Sequence, residues 1–178
     1  YAKLTRATFK RLEDRRSYLP GKLIHSDVSG PHEKSVGGAK WYVLFKDETT
    51  GYRFVHFMFQ KGEVLQKFKQ VAAIVKAKFG RPVKYLRSDR GTEYVNEQFG
   101  TYMRENGIEA QLTGRHSPKQ NGKSESDNST VVEAARAGLH ALELPKQLWS
   151  CAVDCAIHTL NRTPSEGEDT TLFEKWTG

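Results

Sequence analysis

Three acids stand out by type and by place. Asp27 falls in "LIHSDVSGP", Asp89 in "LRSDRGTEY", and Glu125 in the wholly polar run "RHSPKQNGKSES" (115–126). The two aspartates each follow a serine at the end of an apolar stretch that reads as a strand. A strand end holds a side chain rigidly, as a site requires, although an aspartate there is also a common turn or cap residue. Hard divalent cations such as Mg²⁺ take oxygen ligands, and carboxylates supply both the oxygens and the neutralising charge. Two such ions roughly 3.5–4 Å apart clamp the attacking and departing oxygens of an in-line displacement at phosphorus. Carboxylates gathered without metal repel, each raising its neighbour's pKa. A cationic chain that collects acids at one sheet edge therefore points to metal-assisted phosphoryl chemistry.

Several elements must carry these acids. Residues 22–30 read as a strand stopped at Gly30-Pro31, and "KWYVLFKD" (40–47) as a second, rich in aromatic and β-branched residues. A turn at 49–51 leads into "YRFVHFMF" (52–59), completing an antiparallel meander. The period then changes. Over 62–80, Val64, Leu65, Phe68, Val71, Ala72, Val75 and Phe79 form one helical stripe, closed by Gly80 and Pro82. Strand 83–89, a short helix over 96–107 and strand 108–113 follow. The run 115–126, with Pro118, Asn121 and Gly122, reads as an exposed turn or loop. Helix is expected from about Lys123, and Pro145 opens a second long helix ending near Asn161. This order predicts an α/β fold: a mixed five-stranded sheet, three strands antiparallel and two joined through helices, with helices on both faces. In such sheets ligands gather at the carboxyl ends of strands, which is where Asp27 and Asp89 fall.

The 178 residues fit one domain with a real core, and 37% hydrophobic with 28% charged residues excludes the disordered class. No run approaches the roughly 20 apolar residues of a membrane span, and no secretory signal pattern is present. The first residue is Tyr1, so the chain reads as a segment of a longer protein. The net charge of +7 makes a polyanion a natural partner. Within 1–22, Lys3, Arg6, Lys10, Arg11, Arg15, Arg16 and Lys22 stand against Glu13 and Asp14, so seven cations less two acids leave +5 there. We divide the chain into a basic arm, 1–20, and a core domain, 21–178. The arm either tracks phosphates or is a solvated leader. Cys151 and Cys155, four apart in a helix, suggest no disulfide framework and fit a reducing compartment. With His158 they make a poor zinc site and read as small buried hydrophobes.

A further signal lies in the agreement of separate motifs. "LIHSDVSGP", "LRSDRGTEY", "HSPKQNGKSES", "LPKQLW", "LNRTPS" and the terminal "FEKWTG" occur in order, and 35 residues (90 to 124) separate Asp89 from Glu125. From about residue 20 to its end the chain resembles the catalytic core of retroviral-type integrases, most closely the copia-type retrotransposon branch with its D,D-35-E motif. The resemblance implies a ribonuclease H-like fold and a DNA polynucleotidyl transferase that trims a DNA 3′ end and then joins it to a target strand. It implies two Mg²⁺ (or Mn²⁺) ions, with Asp27 bridging both and Asp89 and Glu125 each completing one. It makes the Pro/Asn/Gly run before Glu125 the mobile active-site loop. His116, Lys119, Gln120, Asn121 and Lys123 become DNA contacts, the lysines to phosphate. For His116 and Gln120 the plainer reading, an exposed polar loop residue, carries equal weight. His25 and Glu93 stand behind the acids, as orienting or merely structural groups. Implied partners are double-stranded DNA, both element ends and target, and further copies of the chain in a homodimer or higher oligomer. No membrane partner and no zinc in this segment are implied. The family works in the nucleus after a cytoplasmic virus-like-particle stage, and its cores dimerise through helical faces. The apolar residues of "LWSCAVDCAIHTL" (148–160) serve either such a face or the core.

One departure tempers this. Family members place basic residues along the helix after the glutamate, whereas "ESDNSTVVEAAR" puts Asp127 and Ser129 there and reaches Arg136 late. An acid beside a phosphate path weakens binding. Alternatives to the transferase are therefore an integrase-derived DNA-binding or interaction module that no longer cuts, and a ribonuclease H-like nuclease.

Overall fold

The strands form where β-branched and aromatic residues alternate between two buried faces. β1 (Leu23–Ser29), β2 (Trp41–Asp47) and β3 (Arg53–Met58) pair antiparallel in sequence, while β4 (Tyr85–Ser88) and β5 (Glu109–Leu112) add in parallel on the other side of β1. The sheet order is β3-β2-β1-β4-β5, the mixed five-stranded arrangement expected. The structure, a computed structural model, describes residues 18–112, 118–164 and 167–178, with the side chains of 118–127 outside that description. Most of the basic arm thus lies outside the described residues.

One face carries α1 (Val64–Phe79) and α2 (Glu97–Glu105), the other α3 (Pro118–Ala141) and α4 (Trp149–Arg162). Val64, Phe68, Val71 and Val75 of α1 are fully buried, at the spacing that puts them on one stripe, against Ile24, Val43 and Phe45 of the sheet. Gly80 ends α1 in the left-handed region (φ 65°), and its N–H bonds the Lys76 carbonyl. On the opposite face Tyr42 and Leu44 meet Val131 and Ala135 of α3 and Val153, Ala156 and Ile157 of α4. Asn161, also buried, ties α4 to β3 by accepting from Arg53 N–H at 3.0 Å and donating to its carbonyl at 2.8 Å. A short C-terminal helix, α5 (Leu172–Thr177), which was not foreseen as a separate element, swings Trp176 back against Phe79 of α1. No helix among the described residues is long and apolar enough to cross a membrane.

Three expectations change. Helix α3 starts at Pro118, not near Lys123, so the "PKQNG" part of the expected mobile loop is helical. Proline suits a first helical turn because its fixed φ is already helical and its missing N–H would bond nothing there. Gly122 inside the helix costs about 1 kcal/mol, little against a helix of 24 residues. Next, Pro145 opens only a single 3₁₀ turn (Lys146–Leu148), and α4 itself begins at Trp149. Finally, Cys151 and Cys155 are exposed rather than buried. The buried stripe of α4 is Ser150, Val153, Ala156, Ile157 and Asn161. Helical periodicity turns 151 and 155 away from it, onto an open apolar groove they share with Ala134, Gly138, Leu142 and Leu148.

Candidate active site

Parallel pairing carries the two aspartates toward the same end of neighbouring strands. β1 and β4 are in register as Leu23 with Tyr85, Ile24 with Leu86 and His25 with Arg87. Two residues further along both chains, the same register aligns Asp27 with Asp89, just past the last residue of β4. The Asp89 carboxylate accepts the Gly91 N–H at 2.9 Å, which sets the turn that leaves the strand. On the sheet face toward α3, Asn128 donates its Nδ2 to Asp27 Oδ2 at 2.6 Å. Glu125 lies on α3 three residues before Asn128, less than one turn away. Its backbone is thus close to the residue that grips Asp27, while its side chain is outside the described residues.

Behind the aspartates, on the other sheet face, Ser26 Oγ and the Tyr94 hydroxyl lie 2.6 Å apart. Burial pushes the Tyr94 phenol well above its usual pKa; the Ser26 hydrogen bond opposes this, and Asp27, Glu93 and Asp89 add to it. One phenol therefore feels the charges of Asp27, Glu93 and Asp89. It stays protonated and neutral beneath them.

Glu93 is buried and ion-paired with Lys61 at 3.0 Å, and Lys61 Nζ also lies over the Trp41 ring at 5.6 Å. A Cβ at Gly91 would come within 2.5 Å of the Glu93 carboxyl, so only glycine lets this acid tuck under the turn. His25 is turned to Glu48, Nε2 to Oε2 at 2.6 Å, and its described partner is thus the β2–β3 turn rather than an acid of the trio. Asp47, the last residue of β2, is fully buried and accepts from Gly21 N–H, Thr50 N–H and Thr50 Oγ. Lys119, Gln120, Asn121 and Lys123 fall on the start of α3 with their side chains outside the description, and His116 lies outside the described residues altogether.

Sequence reasoning missed Asn128, Tyr42 and Tyr94. Asn128 had a legible signal, since a polar residue one turn beyond a helical acid shares much of its face. Tyr42 had none, because an aromatic in a strand reads as core. Its ring is fully buried, and its hydroxyl donates to Asn128 Oδ1 at 2.8 Å. His32 stacks on that ring at 5.6 Å and 7°.

His32 and, on β3, His56 both have pKa values pushed below the ordinary 6.5, first by burial and then by Arg136 and Lys67 respectively. A histidine held neutral in the fold takes up a proton on unfolding, so its contribution is complete above the unfolded pKa near 6.5 and lost as pH falls below it. Urea denaturation is therefore expected to show stability falling from pH 7 toward pH 5, with a shallower fall for His56→Phe. Equal slopes for the two proteins would contradict the assignment to His56.

The donor set fits a hard divalent cation. Asp27 and Asp89 offer carboxylate oxygens at adjacent strand ends, Glu125 is near in the backbone, and an amide N–H holds the Asp27 carboxylate in a defined plane. No cluster of three or more His, Cys, Asp or Glu side chains stands ready as a cage among the described residues, a set without the Glu125 side chain.

This is the fold of integrase catalytic cores. The chain superposes on the simian T-cell lymphotropic virus intasome (in complex with a PP2A regulatory subunit) with TM-score 0.71 and 17% identity, over 92% of this chain and 57% of that one. It also matches the HTLV-2 integrase catalytic core domain in complex with magnesium, dimeric form, with TM-score 0.65 and 18% identity, over 92% of this chain and all of that one. No family model matches the chain. In sequence it is 37% identical over 166 residues to the retrovirus-related Pol polyprotein of transposon TNT 1-94 from Nicotiana tabacum, covering 93% of this chain and 12% of that protein. It is 31% identical over 147 residues to the Ty1-NL2 Gag-Pol polyprotein of Saccharomyces cerevisiae, covering 81% of this chain and 8% of that protein. The chain thus spans a small fraction of the curated relatives it matches, and it belongs with the retrotransposon integrase cores on a ribonuclease H-like fold.

Proposed function

We propose that the chain is the catalytic core of a retrotransposon integrase, a metal-dependent DNA polynucleotidyl transferase that trims element 3′ ends and transfers them to target DNA. The observation that carries this reading is the alignment of Asp27 with Asp89 at parallel strand ends, with the Glu125 helix bound to Asp27 through Asn128. Asp27, Asp89 and Glu125 would hold two Mg²⁺ or Mn²⁺ ions, which when bound activate an oxygen nucleophile and stabilise the departing oxygen at phosphorus. The protein's part is positional and electrostatic. β1 and β4 would fix two carboxylates, α3 would bring the third, and Tyr94 lies behind the aspartates with a neutral hydroxyl. Lys119 and Lys123, on the helix that carries Glu125, would meet DNA phosphates, with the basic arm adding charge that would steer the duplex. In the whole protein this core would act on double-stranded DNA as a dimer or larger assembly, in the nucleus after a particle stage in the cytoplasm. The HTLV-2 core being solved with magnesium and as a dimer supports the metal and the oligomer.

The test is calorimetric titration of Mn²⁺ into the wild-type chain and Glu125→Gln, with and without a DNA duplex. Wild-type binding weakened by about tenfold or more in the variant is the expected result. DNA binding with neither metal binding nor cleavage would instead identify an interaction module of integrase descent.

A further inference from the structure

We propose that Tyr42 is a positioning residue of the site, acting through Asn128 to set the direction in which the Asn128 amide meets Asp27. The inference rests on the metal-site reading above and deepens it. A side-chain amide has two nearly isosteric ends, one an acceptor and one a donor. Only the donor end is useful against a carboxylate, and a flipped amide would set oxygen against oxygen. The acceptor-only Asp27 carboxylate favours the donor end, and a second partner on Oδ1 would lock that choice.

The described contacts identify it. The Tyr42 hydroxyl donates to Asn128 Oδ1 at 2.8 Å, and with Oδ1 so engaged the Nδ2 end faces Asp27 Oδ2 at 2.6 Å. The phenol has one proton to give and donates it to Oδ1, while burial, as the largest cause, raises the Tyr42 pKa against an opposing side-chain hydrogen bond with Ser29. The ring itself has no freedom to swing away. It is fully buried, stacked against His32 at 5.6 Å, tilted against Trp149 at 6.2 Å, and packed among the α3 and α4 residues Val131, Ala135 and Val153. His32 is in turn tied to Ser29 of β1, Nε2 to Oγ at 3.1 Å. β1 and β2 are paired in register as Asp27 with Leu44 and Ser29 with Tyr42. The phenol thus sits on the strand next to the one that carries Asp27. The rest of the α3 face reads as ordinary core, with Val131 and Ala135 following Asn128 at helical spacing. A strand aromatic in such a core needs no hydroxyl, and a phenylalanine would bury the same ring without desolvating an oxygen.

The comparison that tests this uses wild type, Tyr42→Phe, Asn128→Ala and the double variant. Two readouts are taken: Mn²⁺ affinity by calorimetry, and the Asn128 side-chain amide signals by ¹⁵N nuclear magnetic resonance. Tyr42→Phe keeps the buried ring and so keeps the fold. It is expected to shift the Asn128 amide signals, speed their exchange with water, and weaken Mn²⁺ binding by about tenfold. The double variant is expected to bind Mn²⁺ no more weakly than Asn128→Ala, because Tyr42 acts only through that residue. Unchanged amide signals in Tyr42→Phe, or an equal further loss of affinity in the double variant, would overturn the proposal. If wild type binds no Mn²⁺ while the amide signals respond as expected, the metal reading falls and the orienting role of Tyr42 stands.

Discussion

Replacing Asp27 with asparagine is expected to slow metal-dependent DNA cleavage by about three orders of magnitude while leaving the fold in place. Metal ions contribute several kcal/mol of charge stabilisation to a displacement at phosphorus, and each 1.36 kcal/mol is a factor of ten in rate. Of the three acids, Asp27 is the one whose described contacts converge from both sides: β1 presents it, and Asn128 of α3 grips it. Asparagine keeps its shape and removes its charge. The residue is half-buried at a strand end, beside the position of a second aspartate, so relief of repulsion offsets the loss of the Asn128 contact. Single-turnover cleavage of a labelled duplex at saturating Mn²⁺ measures the rate, and thermal melting checks the fold. A variant that cuts within tenfold of wild type would remove Asp27 from the reaction.

The largest effect on stability is expected at Phe68. Truncation to alanine should cost about 3–5 kcal/mol, by lost burial and by the cavity left behind. Domains of this kind are stable by roughly 5–15 kcal/mol in total, so the variant would stand near its unfolding threshold. Phe68 is fully buried in α1, 5.9 Å from the Phe45 ring of β2, 5.9 Å and stacked at 15° against Phe99 of α2, and edge-on to Tyr102 at 6.1 Å. It is the point where the meander, the first crossover helix and α2 meet. Collapse around the void would have to move three elements at once, which is why the upper part of the range is expected. Urea denaturation gives the number. Phe68→Leu, which keeps most of the volume, should lose about 1.5 kcal/mol or less. Similar losses for the two variants would show that volume is not what the site requires.

The parts of the fold that were legible share a property: their signal repeats. The aromatic and β-branched run over 40–47, the alternation over 52–59, and the 3.6-residue stripe from Val64 to Phe79 sum many weak preferences and come out as β2, β3 and α1. Where one residue type argued alone, it misled. Pro118, Asn121 and Gly122 read as a loop, yet α3 starts at the proline, because proline is compatible with a first turn and a single glycine is a small cost within a long helix. Cys151 and Cys155 read as buried on residue type, although the stripe Ser150, Val153, Ala156, Ile157 turns them outward; there periodicity outranked composition.

The site divides along the same line. Asp27 and Asp89 announce themselves by ending apolar strands, and the interval from Asp89 to Glu125 is a property of the chain alone. Local order along a chain encodes such things directly, since each depends on neighbours in sequence. Which acids stand side by side depends on β1 taking β4 as its parallel neighbour, a pairing between segments about sixty residues apart. Likewise Asn128 lies 101 residues from the Asp27 it binds and 86 from the Tyr42 that orients it. A hydrogen bond acts over about 3 Å, and nothing in the order of residues says which groups the closing of the sheet will bring within that distance.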